Sequence, residues 1–254
     1  MIIDINKCVE EVLEDGYCIL PNHFPRPLLE QCNEDFQPIL EDIARRIPDG
    51  NRGAKRWANG LAFGPPFYHS EFFNDDAATE IMSRILGEDM HISYYGMDTP
   101  TPGAEDQGIH TDIPFLFPED PDHQHPPTNL AVRFTFVDVT EENGPFAVIP
   151  GSHHLPQEET LAKAKAGELT FTRLLLQCGD GLIVDGRAVH RGTANRSDAP
   201  RPFAVISYNR PYYSVEGEER LGANENATQL TESFYQSLSS REQHLLRRVR
   251  RTPD

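Results

Sequence analysis

Apolar positions in this chain follow two rhythms, a helical one before residue 90 and a strand-like one after it. Over 26–46, Leu28, Cys32, Phe36, Ile39, Ile43 and Ile47 fall on one stripe, which predicts an amphipathic helix with Pro27 in its first turn. A second helix is predicted over 75–86. Asp75 or Asp76 caps it, Ala78, Ile81, Met82 and Ile85 face inward, and Gly87 ends it. Residues 16–21 alternate toward a strand. Beyond residue 90, short runs separated by Pro/Gly turns predict strands at 90–96, 108–112, 130–138, 144–149, 170–177, 181–185, 187–193 and 202–210. About eight short strands at this spacing predict a mainly β fold with flanking helices, a two-sheet jelly roll. The long, Pro-rich stretches 97–107 and 114–128 flank the 108–112 strand and read as lids or pocket walls. The expected organisation is one domain over 1–254: a helical part (1–90), a jelly-roll core (90–213) and a helical C-terminal segment (214–254) packed outside the barrel or against a partner chain.

Composition narrows the function. An apolar content of 38% and a charged content of 25% describe a soluble chain, and no apolar run approaches the roughly 20 residues of a membrane span. A net charge of −17 argues against nucleic acid, whose phosphates need a basic face. The exception is 241–254, with five arginines against Glu242 and Asp254; a solvated or internally paired face is the expected role. Residues 1–14 lack a basic segment ahead of an apolar one, and Cys8, Cys18, Cys32 and Cys178 show no CxxC spacing. Together these predict a cytoplasmic protein with reduced thiols.

The chemistry concentrates at His110-Thr111-Asp112 and, much later, His190. On a strand, residues i and i+2 share a face, so His110 and Asp112 can bind one metal ion together. His190 from a neighbouring strand would complete two imidazoles and one carboxylate on one side of the ion. The open opposite side suits Fe(II) that takes up a cosubstrate and O2. A strand carrying His190, a turn, and a strand returning near Arg201 would bring a guanidinium beside the metal. That planar fork is well matched to the far end of a small dicarboxylate.

These residues also carry a family resemblance. His110-Thr111-Asp112, the run Glu142-Asn143-Gly144-Pro145-Phe146-Ala147-Val148-Ile149-Pro150-Gly151-Ser152-His153, then Gly179-Asp180, His190, Asn195 and Arg201 occur in the order of the phytanoyl-CoA dioxygenase family. The opening Asp15-Gly16-Tyr17-Cys18-Ile19-Leu20-Pro21 is similar too, so the likeness runs from about residue 10 to about residue 213. The resemblance implies a double-stranded β-helix (cupin-like) with Fe(II) on His110, Asp112 and His190. It further implies 2-oxoglutarate as cosubstrate, held by Arg201, O2 as oxidant, and hydroxylation of a C–H bond with release of succinate and CO2. The retained Asp112 speaks against the halogenases of this fold, which give up that ligand to chloride. Two positions depart from the pattern. Where relatives carry a small hydroxyl residue two places after the distal His, this chain has Gly192, and Thr193 beside it is the candidate substitute. Arg133 replaces an aromatic of some relatives and could touch either 2-oxoglutarate or substrate.

Other polar residues have plainer readings. His153 and His154 follow a Pro-Gly-Ser turn and read as structural. His123 and His125 read as loop residues near the entrance, and Asp180 and Asn195 as turn residues. For a small polar substrate the candidate contacts are Arg56, Trp57, Tyr95, Arg210 and Tyr212, from Arg- and Tyr-rich clusters that also hold Arg52, Lys55, Tyr94 and Tyr213. The competing functions are a cupin-like metalloenzyme that uses no oxo acid and a non-catalytic binding protein on the same scaffold. The residues leave the substrate and the oligomeric state open.

Overall fold

The computed structural model describes residues 3–117, 125–213 and 230–254. Antiparallel pairing builds a six-stranded sheet in the order β1 (Tyr17–Leu20), β7 (Gly181–Asp185), β4 (Asn129–Thr135), β9 (Phe203–Asn209), β3 (His91–Pro100) and β2 (Arg56–Gly60). A smaller sheet holds β6 (Thr172–Leu174), β5 (Phe146–Val148) and β8 (His190–Gly192). This is the expected jelly roll. Alternation assigns each strand residue to one of two cores. Leu130, Val132 and Phe134 of β4, Ile183 of β7 and Ile206 of β9 face the helices. Leu182, Val184 and Phe203 face the smaller sheet and pack with Phe146, Val148 and Leu174.

The helical side is built by α1 (Ile5–Asp15), α2 (Arg26–Arg46), α3 (Ser70–Phe73) and α4 (Asp76–Leu86). Helix α2 has the predicted bounds and buries Leu29, Cys32, Phe36, Leu40 and Ile43. Helix α4 is capped as expected: the Asp75 carboxylate accepts from the Ala78 N–H at 2.7 Å, and Gly87 ends the helix at φ +93°. Phe134 joins the layers, its ring 4.8 Å from that of Phe24 and 4.6 Å from that of Phe72. Helix α1 ends at Gly16 (φ +86°), where a Cβ would meet the His153 ring nitrogen at 2.7 Å. His153 and His154 both donate to the Leu13 carbonyl, so this pair fastens α1 to the barrel.

Several expectations need correction. Helix α1, strand β2 and helix α5 (Gln157–Lys165) were not anticipated. The predicted 108–112 strand is a single bridge from His110 to His190. Of the expected helical segment 214–254, residues 214–229 lie outside the described residues. The remainder is two short helices, α6 (Glu232–Ser237) and α7 (Ser240–Leu245), flanked by β10 (Leu230–Thr231) and β11 (Arg251–Thr252), which pair in parallel. The break comes from a capping box: Ser239 and Glu242 satisfy each other's backbone N–H, which starts a new helix there. Three of the C-terminal arginines are engaged within the chain, Arg241 with Asp76 at 2.7 Å and Arg251 with Glu232 at 3.0 Å on the surface, and Arg247 with the Met90 carbonyl at 2.9 Å. All four cysteines are free and buried, and no helix among the described residues is long and apolar enough to cross a membrane.

His91, at the start of β3, is 1% exposed and its Nδ1 has no partner. Burial, helped by the charges of Arg248 and Arg247, pushes its pKa from 6.5 down to about 4. Between those values the unfolded chain takes up a proton that the folded one refuses. Stability is therefore full above pH 6.5 and falls as pH drops toward 4. Urea midpoints measured at about pH 7 and about pH 5 should show this fall, and His91→Leu should make it shallower.

Candidate metal centre and cavity

The bridge between His110 and His190 is made by two backbone hydrogen bonds, His110 N to His190 O at 3.0 Å and His190 N to His110 O at 2.9 Å. It sets the two imidazoles side by side, ring centroids 4.4 Å apart and planes tilted by 56°. Two residues on, the Asp112 N–H donates to the Gly186 carbonyl at 2.8 Å and turns its carboxylate toward both rings. Asp112 Oδ1 lies 3.8 Å from His110 Nε2 and 3.5 Å from His190 Nε2, and the three ligand atoms fall within 4.8 Å of one another. One ion with bonds of about 2 Å fits between them.

The surrounding bonds prepare each donor. His110 Nδ1 donates to the Gly108 carbonyl at 2.7 Å and His190 Nδ1 to the Ala188 carbonyl at 2.9 Å. Both tautomers are thereby fixed with a bare Nε2 directed at the gap. Burial, then the neighbouring His190, pushes the His110 pKa down to about 4, so the ring stays neutral as a ligand must. Burial would raise the Asp112 carboxyl, but His190, Arg133 and His110 outweigh it and hold the group well below the usual carboxylate range. Arg133 donates to Asp112 Oδ2 and leaves Oδ1 free. Gln157 on α5 braces the same turn through the Thr111 hydroxyl (2.6 Å) and the Ile113 carbonyl (2.9 Å). Two neutral imidazoles and one carboxylate, without a thiolate, form the donor set of a facial Fe(II) site.

The triad opens into a cavity of about 400 Å³ between the sheets. Phe146 stacks on His190 at 4.8 Å and Phe203 closes the far wall. Arg201 lies beneath that wall, 1% exposed, its guanidinium 5.0 Å from the Phe203 ring centroid. Its Nη2 donates to the Gly144 carbonyl at 2.6 Å, whereas its Nε and Nη1 are buried with no hydrogen-bond partner. Burial lowers its pKa to about 10, which leaves it charged at neutral pH. A buried cation with two empty donors is costly unless a ligand completes it. Asn195 shapes the turn leading to it, donating to Pro100 O and Ala199 O at 3.0 and 2.8 Å.

Several sequence candidates lie elsewhere. Thr193 donates to the Pro145 carbonyl at 2.8 Å and faces away from the cavity. Arg56 is buried under the cavity floor, paired with Asp98 at 3.0 Å and donating to the Thr193 carbonyl at 2.9 Å. It fills the space over Gly192, where a Cβ would meet its Nη1 at 2.5 Å. Trp57 is on the helix side of edge strand β2 and donates its indole N–H to the Ile47 carbonyl at 2.8 Å, tying α2 to the sheet. Tyr95 is fully buried on the same side, its hydroxyl on the Phe67 carbonyl at 2.9 Å. A bulge between Ile92 and Tyr94 inserts one residue in β3, so Tyr94 and not Tyr95 faces the cavity. Gly96 has no room for a Cβ because the Tyr94 phenol lies over it. Arg210 grips the Pro127 carbonyl at 2.6 Å and the end of α4 at Ile85, and Tyr212 is 65% exposed. None of Trp57, Tyr95, Arg210 and Tyr212 lines the cavity. His125 holds its own loop through Leu116 and Pro126, and His123 lies outside the described residues. The lining residues that sequence reasoning missed are chiefly Asn51, Asp98, Gln107, Phe203 and Ser207, with Arg52 and Tyr94 passed over for their neighbours.

The model of the phytanoyl-CoA dioxygenase (PhyH) family matches residues 12–203. The chain belongs to that family. Among its relatives, a multifunctional dioxygenase, ausE, of Aspergillus calidoustus is 25% identical over 219 residues, 80% of this chain and 72% of its own. An iron/alpha-ketoglutarate-dependent dioxygenase of the same organism, ausU, is 26% identical over 207 residues, 78% of this chain and 67% of its own. Among solved structures, EctD from S. alaskensis with 2-oxoglutarate and 5-hydroxyectoine aligns at a TM-score of 0.62 and 20% identity. That alignment covers 82% of this chain and 76% of EctD, and it shows the shared fold.

Two tests follow from the geometry. Asp112→Ala should lower Mn(II) or Fe(II) affinity, measured calorimetrically without turnover, by more than about a hundredfold, since it removes a direct donor. Gly192→Ala should cost about 1–3 kcal/mol in urea unfolding, because the added methyl displaces a guanidinium held at three acceptors.

Proposed function

We propose that this protein is an Fe(II)- and 2-oxoglutarate-dependent dioxygenase that hydroxylates an unactivated C–H bond of a small polar metabolite. The observation that carries the reading is the unfilled edge of Arg201, buried in the wall of the cavity that holds the triad. A cupin-like enzyme without an oxo acid, or an inert scaffold, has no use for a buried guanidinium with two open donors there.

His110, Asp112 and His190 would hold the iron, with Arg133 keeping the second carboxylate oxygen occupied so that Asp112 binds through Oδ1. Arg201 would grip the distal carboxylate of 2-oxoglutarate and so fix its oxo-acid end toward the metal. Phe146, Phe203 and Val205 surround that position with apolar surface and keep water from it. Thr193, engaged with Pro145, contributes only the turn, and Arg133 acts through Asp112. When bound, the ferrous ion supplies the reduction of O2, coupled to conversion of 2-oxoglutarate to succinate and CO2 and to oxidation of the substrate C–H bond. The rest of the chain's work is to orient and to shield.

The test is 2-oxoglutarate binding to Mn(II)-loaded protein by calorimetry, alongside succinate release by the Fe(II) form. Wild type should bind the cosubstrate, and Arg201→Ala should weaken that binding by at least about tenfold while leaving metal affinity intact. Equal affinity in both proteins would remove Arg201 from this role.

A further inference from the structure

Each carboxylate lining the cavity already owns a cation: Asp112 has Arg133 and Asp98 has Arg56. Arg201 is committed to the cosubstrate on the reading above. Arg52 is the remaining guanidinium in the lining, and no ion pair or hydrogen bond engages its side chain among the described residues. It lines the same cavity as His110 and Tyr94, close enough for its charge to act on both. In a chain of net charge −17, a guanidinium in this lining that no described carboxylate engages calls for a ligand.

The backbone is built to hold it there. Asn51 uses its side-chain amide as a strand segment, donating to the Ala58 carbonyl and accepting from the Ala58 N–H, both at 2.7 Å, along the free edge of β2. The N–H groups of Asn51 and Arg52 donate to the Arg56 carbonyl at 3.1 and 3.2 Å. Gly50, at φ +85°, makes the turn where a Cβ would lie 2.2 Å from the Gly53 carbonyl. The loop is thus anchored to the sheet edge, and Arg52 projects from it.

Charge accounting gives the same answer. Among the described residues, three guanidinium groups line the cavity (Arg52, Arg133, Arg201), with Arg56 beneath its floor, against two lining carboxylates (Asp98, Asp112). A ferrous ion and a dicarboxylate cancel each other, so the loaded cavity keeps a positive excess. We infer that the substrate is a small carboxylic acid whose carboxylate is anchored by Arg52, with the Tyr94 and Ser207 hydroxyls beside it. This inference rests on the 2-oxoglutarate reading and deepens it.

The experiment titrates a panel of small-metabolite carboxylic acids, each matched with its primary amide, into Mn(II)- and 2-oxoglutarate-loaded protein, followed by calorimetry. At least one acid should bind more tightly than its amide. Arg52→Gln should weaken that acid by about tenfold to a hundredfold, with Arg52→Lys recovering part of the loss and 2-oxoglutarate affinity within about twofold of wild type. Arg52 projects from a loop held by backbone contacts, so the variants should fold as wild type, checked by thermal unfolding. A panel in which no acid outbinds its amide, or an acid indifferent to Arg52→Gln, overturns the inference and leaves the cosubstrate reading standing. Failure of 2-oxoglutarate itself to bind would instead bring down both.

Discussion

The site depends on one short piece of antiparallel backbone, the bridge between His110 and His190. Neither segment is long enough to be a stable strand pair by itself. What fixes them is the sheet beneath: β8 pairs with β5, and β5 with β6, so the register of His190 is held by the sheet as well as by its bridge to His110. The bridge then makes the two imidazoles neighbours through the backbone, and no side-chain contact is needed to hold them. Each ring nevertheless spends its Nδ1 on a carbonyl two residues back, in the same local pattern. The site is therefore assembled from backbone register first and hydrogen bonding second. Loss of register by one residue would turn His190 away and bring Arg191, now paired with Asp106 outside, toward the candidate metal site.

Much of this was legible in the sequence because it follows from spacing. The capped helix ending at Gly87 and the bounds of α2 are local consequences of periodicity and cap chemistry; the nearness of His110 and Asp112 follows from their spacing, although a single bridge and a bend hold them in place of the expected strand. The candidate substrate residues failed for an equally physical reason. Strand parity is read by counting, and one bulge in β3 reverses the count. Reading outward from Ile92 puts Tyr95 in the cavity; the extra residue puts Tyr94 there. Strand β2 was hidden because its own pattern, Arg56-Trp57-Ala58-Asn59-Gly60, has a buried arginine and two small residues where an apolar alternation is expected. Its parity is set only by pairing with β3, a contact distant in sequence. Trp57 and Arg56 could not be sorted between faces without that partner.

The departure at Gly192 also acquires a cause. A hydroxyl residue there would need the space that the Arg56 guanidinium fills. Arg56 in turn is fixed by Asp98 and by the Thr193 and Glu105 carbonyls, so the glycine and the buried arginine are one structural choice and not two. The same choice consumes Asp98 as a counter-ion. That carboxylate would otherwise face Arg201 in the cavity and compete with an incoming dicarboxylate.

This ordering of charges is the deeper constraint on what the cavity can accept. Burying a cation without a partner costs several kcal/mol, and a chain retains such a group only where something repays it. Arg56 and Arg133 are repaid within the protein, at full burial, and each fixes the geometry of a carboxylate. Arg201 is repaid only in part, by one carbonyl and an aromatic face. Arg52 is exposed and pays little for being free, but its loop is anchored to the sheet edge at several backbone points. An exposed arginine on a floating loop would be ordinary surface. One held rigidly over a metal-site mouth loses little further freedom when an anion arrives, and affinity rises with what is already ordered.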